Sequence, residues 1–245
     1  MDLSKALEGI EKLFLEILGY LLPGVALLYL TSFCLRETTL TLPFDVATMN
    51  EWLLVALAYL LGYLVYGVAL VRDTLYESAV LRLWSKIRKK EIKSDRLAVF
   101  DRVNESFEIE VSRRILSDLL AHVVPDVPDR IEKMNVQGVR NLAMSYVPQS
   151  DRKVYTFMFR ADLCDHLSVV ALVLGAWGIL SCVSGSVFGM QLILSTKDSF
   201  LYSYLLLIVA TYFLHKTRIR FLGISMSIPF SMFIAEYHKL EGKNG

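Results

Sequence analysis

The chain has 245 residues, of which 54% are hydrophobic and 21% charged, with a formal net charge of +1 and a mean hydropathy of +0.45. Soluble domains average about 45–50% apolar and about 25% charged, so this balance excludes a disordered chain, a disulfide scaffold and an ordinary cytosolic enzyme. The apolar excess is gathered into a few long uncharged runs, the pattern of an integral membrane protein.

The opening stretch MDLSKALEGIEKLF mixes Asp2, Glu8 and Glu11 with Lys5 and Lys12. That is not a basic leader, no small-residue cleavage site follows, and Phe33 spoils a lipoprotein site at Cys34. The first apolar run is therefore expected to stay in the mature chain as span one, about residues 13–33, with Pro23-Gly24 and one acid, Glu16. Span two is expected at about 52–71, free of charge over roughly the ~20 residues that cross a bilayer core. Span three is expected at about 167–190 and span four, shorter, at about 199–214, with Lys216 able to snorkel. A fifth apolar stretch, 221–235, is interrupted by Pro229 and reads as core or interfacial, on the cytosolic side.

Charge sets the expected orientation. Residues 72–160 carry 17 Lys plus Arg against 13 Asp plus Glu, and the tail after span four holds Lys216, Arg218, Arg220, Lys239 and Lys243. The two other loops hold one basic residue each, Arg36 and Lys197. Basic loops stay inside, so both termini and the middle segment are expected to be cytoplasmic. This yields an all-α polytopic protein in three parts: a transmembrane hairpin at 1–71, a helical cytosolic domain at 72–160, and a second hairpin with its tail at 161–245. The cytosolic domain would stand on stalks extending from spans two and three.

Within the middle segment, span two is expected to run on as a helix as far as Lys93. Phe100, Val103, Phe107, Val111, Ile115, Leu119 and Val123 then recur at helical spacing, although FEIEV alternates and could form a short strand. After the Pro125–Pro128 breaker, Asp129 and Glu132 suggest a capping box for a helix turning Ile131, Met134, Leu142 and Tyr146 inward. Pro148 ends it, and Ser150 or Asp151 caps a helix that runs unbroken into span three. About 89 residues is small for an independent core, so oligomerisation is expected to complete it.

Span three presents Gly178, Ser181, Gly185 and Gly189, a small-residue face that lets helices approach closely, either within the chain or between copies. Glu16, Tyr63, Tyr66 and Thr211 are the candidate pore or gate residues, being the acid and hydroxyls carried by the spans. Arg82, Lys86, Arg88, Lys89, Lys90 and Lys93 form a basic patch that could contact anionic lipid or nucleic acid, or simply be the solvated face of a stalk.

Cys34, Cys164 and Cys182 make an odd set with no CxxC pair, and read as small packed hydrophobes. Arg160 and His166 match the Arg-x(4–6)-His spacing of HEPN ribonucleases, but one such pair is expected by chance and the bilayer edge is a poor place for RNA. Asp162, Asp165 and His166 could hold a metal or proton, though a polar collar is the commoner reason for such a cluster. No phosphate-binding loop, nucleophile elbow or metal-ligand spacing occurs, so no catalytic residue, metal or cofactor is expected and the chain is read as a non-enzyme.

Leu22-Pro23-Gly24, the Gly62-Tyr63 to Gly67 stretch and the Phe159-to-Leu167 lead-in to span three, with the helical insert between, resemble small multi-pass membrane effector and accessory proteins of bacterial antiviral defence, including CRISPR-associated ones. The resemblance is one of layout. It implies a protein that permeabilises or depolarises the inner membrane when a sensor partner is triggered. The expected function is an oligomeric inner-membrane pore or membrane-perturbing effector gated through its cytosolic domain. The alternative is a non-catalytic anchor or adaptor recruiting a soluble enzyme or nucleic-acid complex. Its expected partners are the lipid bilayer, further copies of itself, and a soluble cytosolic protein or ribonucleoprotein.

Overall fold

The computed structural model describes residues 3–35, 50–75, 95–121, 127–147, 149–188 and 198–244. The described residues are almost wholly helical, with no strand among them. In chain order the helices are α1 (Leu3–Leu35), α2 (Glu51–Leu75), α3 (Asp95–Asn104), α4 (Phe107–Ala121), α5 (Val127–Lys133), α6 (Val136–Tyr146), α7 (Gln149–Phe188) and α8 (Asp198–Asn244). Four of them, α1, α2, α7 and α8, are long and apolar enough to cross a membrane.

Two compact units emerge. The first comprises residues 1–80 and 162–218, the second 81–161 and 219–245. The unit boundary falls inside α7 and inside α8, and neither helix is broken there. At 1.5 Å per residue, the 40 residues of α7 and the 47 of α8 run about 60 and 70 Å, roughly twice a ~30 Å bilayer core.

In the first unit, Asn50 starts α2 by accepting the Trp52 N–H on its side-chain oxygen at 2.9 Å. The α1 and α2 backbones meet where side chains vanish: a Cβ at Gly24 would strike the Ala58 carbonyl, and one at Gly62 the Tyr20 carbonyl. Val65 and Ala69 of α2 pack with Val169, Val170 and Leu174 of α7. Leu60, Leu64, Leu206 and Phe213 remain exposed, the condition of side chains that face lipid.

The second unit has its own core. Val99, Ile109, Leu116, Ile131, Val139 and Ala143 pack against Met226, Phe230 and Phe233 of α8. The stretch 221–235 is thus not a separate segment interrupted by Pro229: it belongs to α8, which continues through that proline, and its apolar side lines this core. The helix that carries span four likewise does not end near 214.

FEIEV is helical, as its spacing with the flanking apolar residues predicts, and not the alternative short strand, because Ile109, Ser112, Ile115 and Leu116 make one buried helical face. Three local expectations need correction. Phe107 is 74% exposed rather than buried. The segment 127–146 is two helices, because Asn135 interrupts it and caps α6 by accepting the Gly138 N–H at 2.8 Å. At the end of α5 the Arg113 guanidinium donates to the Glu132 carbonyl and to that of Ile131, which also accepts the Met134 N–H at 3.2 Å. Tyr146, expected inside, is 43% exposed while its ring stays beside Phe233. The continuation of span two towards Lys93, and Val123, Pro125 and Pro148, lie outside the described residues.

Candidate functional site

A dense polar construction among the described residues of the first unit joins α2, α7 and α8. Arg72 closes the uncharged run of α2, and its guanidinium reaches Asp165 of α7 at 2.6 Å and its neighbour Asp73 at 2.6 Å. Arg218 of α8 approaches the same two carboxylates, at 2.9 Å from Asp165 and 3.1 Å from Asp73. Ser168 accepts a further bond from Arg72 at 3.2 Å and donates to the Asp165 carbonyl at 2.7 Å. Two cations therefore meet two anions, and the pairing neutralises charges that would be costly beside lipid. Asp165 is the buried member, its side chain 8% exposed against 42% for Asp73.

A second group lies one residue further along α7. His166 is buried, its ring 5.4 Å from that of Tyr66, and it donates a hydrogen bond to the Gly19 carbonyl of α1. Gly19 is four residues before Pro23, inside the same helix. A proline has no N–H to return to the carbonyl four residues back, so the Gly19 oxygen is the one the helix leaves unpaired. Among the described residues His166 Nδ1 has no hydrogen-bond partner.

Around Tyr20 the structure gathers a cluster of phenols. Tyr63 stacks on Tyr20 at 4.2 Å, while Tyr59 and Tyr66 stand edge-on to it at 6.0 and 5.9 Å. The Tyr59 and Tyr63 hydroxyls are 3.1 Å apart, and the Glu16 carboxylate is within electrostatic reach of Tyr20 and Tyr59. Glu16, Tyr63 and Tyr66 are therefore brought together. Thr211 sits apart from them on α8, donating to its own Leu207 carbonyl at 3.0 Å and pointing at the Ser168 carbonyl at 3.5 Å.

The chain matches no family model, no curated protein and no solved structure. The geometry alone must indicate what these groups do.

The small-residue face of α7 is taken up within the chain as far as it is described. A Cβ at Gly178 would enter the Tyr204 ring of α8, and one at Gly175 would meet Ile208. Ser181 is buried and donates back to the Trp177 carbonyl at 2.8 Å. Gly185 is helical, whereas Gly189 lies outside the described residues. So does the whole basic patch, Arg82, Lys86, Arg88, Lys89, Lys90 and Lys93.

Of the HEPN-like pair, Arg160 lies over the Phe157 and Phe221 rings at 5.4 and 5.9 Å, while His166 engages Gly19 and Tyr66. No group of three potential metal ligands occurs among the described residues. In the second unit Arg140 is 9% exposed, and burial pushes its guanidinium pKa down against the opposing pull of the Asp151 carboxylate.

Sequence reasoning missed the Arg72–Asp73–Asp165–Arg218 clasp. It took Arg72 and Arg218 only as loop charge, and Asp165 as part of a collar on one helix. The available signal was the Arg-Asp step that ends the uncharged run of α2, whose carboxylate and guanidinium face the same boundary as Asp165.

Proposed function

We propose that the chain is an oligomeric inner-membrane pore or membrane-perturbing effector, gated by its second unit through α7 and α8. The observation that carries this reading is that both helices pass unbroken from the first unit into the second, so a change in the core of the second acts directly on their spans. Where they cross the unit boundary, Asp165 and Arg218 hold them to α2, which supports a closed state that must yield before the spans rearrange. The charge asymmetry supports an orientation with both termini and the second unit in the cytoplasm. The resemblance in layout to antiviral membrane effectors is what suggests a trigger delivered by a soluble protein or ribonucleoprotein there.

Membrane potential followed with a voltage-sensitive dye during induction tests the proposal. The Asp165→Asn chain, its clasp weakened, should depolarise cells without a trigger. Adding Gly185→Leu, which crowds the outer part of α7, should abolish that effect. A steady potential in cells carrying well-inserted Asp165→Asn protein overturns the pore. It would leave the adaptor reading, which the separate core of the second unit favours as a docking module.

A further inference from the structure

Cys34 and Cys182 are separated by most of the chain yet buried in one cluster, with Leu35, Phe200 and Tyr204. Their relative exposures are 1% and 8%. The Cys34 thiol hydrogen-bonds with the Tyr204 hydroxyl, and Cys182 is within electrostatic reach of that same hydroxyl. Helix register explains the meeting. The His166–Gly19 hydrogen bond fixes the level of α7 against α1. From there Cys34 lies 15 residues along α1 and Cys182 lies 16 residues along α7, which is about 22 and 24 Å at 1.5 Å per residue. Both helices climb in the same direction, so the two thiols arrive at one level. Cys164, one turn before Ser168 on α7, is about 27 Å below Cys182 on the same helix and can pair with neither.

We infer that Cys34 and Cys182 form a disulfide that ties α1 to α7 at the end of the membrane unit remote from the Arg72–Asp165 clasp. The inference rests on the proposed orientation, which puts that end on the oxidising side of the inner membrane, where disulfides persist. The oxidant is a protein or small-molecule disulfide. One chain thiolate attacks it to give a mixed disulfide, and the second displaces the donor sulfur. One S–S bond is made and one broken; two electrons pass to the donor, whose two sulfurs leave as thiols carrying the two protons. Exchange takes place during insertion, before Tyr204 closes over the pair. The odd cysteine count then has a reason: two residues form the bond and Cys164, at the opposite end, remains a thiol.

The test uses the full chain in isolated membranes, denatured in detergent with a PEG-maleimide before and after reduction. One adduct, on Cys164, is expected before reduction and three after it; the Cys34→Ser chain should show two in both conditions. Three adducts on the native chain without reduction overturn the disulfide. Iodine oxidation of those same membranes then locates the failed premise. A Cys34–Cys182 cross-link formed only with iodine shows that the thiols are adjacent and the orientation is wrong, and no cross-link shows that they are not adjacent.

Discussion

Pro23 and His166 are complementary across two helices: the proline deprives the Gly19 carbonyl of its intrahelical donor, and the histidine ring supplies one. An unpaired carbonyl within a membrane costs more than in water, since no solvent can replace the donor. The Leu-Pro-Gly motif therefore does two things at once. Its proline creates an acceptor for α7, and its glycine opens the space in which α1 meets the Ala58 carbonyl of α2.

That complementarity predicts a coupled pair of substitutions. His166→Ala should destabilise the detergent-solubilised protein by about 1–3 kcal/mol, the cost of a buried polar group left unsatisfied. In a Pro23→Ala background, residue 23 regains its N–H and the Gly19 carbonyl is bonded within α1. The same histidine substitution should then cost about 1 kcal/mol less, a coupling a double-mutant cycle on unfolding midpoints can measure. Equal costs in both backgrounds would show that His166 contributes through packing on Tyr66 alone.

The contact between α1 and α2 gives a second test. Gly24→Ala and Gly62→Ala each place a methyl against backbone, which cannot swing aside as a side chain can, so each should lower stability by about 1–3 kcal/mol. Gly67, on the same helix as Gly62, has no neighbour among the described residues within 4 Å of where an added methyl would sit, and Gly67→Ala should be neutral or stabilising by up to about 1 kcal/mol. Thermal unfolding of the three variants in one detergent makes the comparison.

What could be read from the sequence follows from what the physics makes local. The four apolar runs were legible because excluding charge for about 20 residues is a property of contiguous sequence. The start of α7 near Ser150 was legible too, from the missing breaker between there and span three, but the continuation of α8 beyond its apolar run was not, since its helicity is supported by packing in the second unit. FEIEV left a strand open beside the helix because its alternation of apolar and acidic residues fits both, and the helix turns Ile109 inward and Phe107 outward. Asn135 was overlooked as a cap because the apolar positions on either side of it kept helical spacing. The clasp was out of reach for another reason: Asp73 and Arg218 are 145 positions apart, and nothing in either neighbourhood names the other.

The clasp itself should respond unequally to loss of its two carboxylates. Asp165→Asn leaves Arg72 and Arg218 sharing one partner in a buried setting, where breaking such a pair costs about 3–5 kcal/mol. Asp73 is 42% exposed, so Asp73→Asn should cost less than about 1 kcal/mol. Raising the salt concentration should shrink the Asp73 effect and leave most of the Asp165 effect, because only the exposed pair is well screened. Unfolding of both variants at low and high ionic strength separates the two contributions.

The second unit predicts how the chain can be divided. Residues 72–160 read, from sequence, as a helical insert too small to complete its own core, and Met226, Phe230 and Phe233 of α8 are part of the core they enclose. Without α8, Leu116, Ile131 and Val139 would lose apolar neighbours that no residue of the segment replaces. A soluble 72–160 piece should therefore be helical by far-ultraviolet circular dichroism yet unfold without cooperativity and bind a hydrophobic dye. Supplying residues 219–245 through a flexible linker should restore a cooperative transition. Phe230→Ala in that fusion should remove about 3–5 kcal/mol of its stability, whereas Phe107→Ala, at a 74% exposed position, should leave it nearly unchanged. A cooperative transition in 72–160 alone would mean that α8 is an accessory to this core and not a component of it. The coupling proposed between the second unit and the span of α8 would then lose its physical basis.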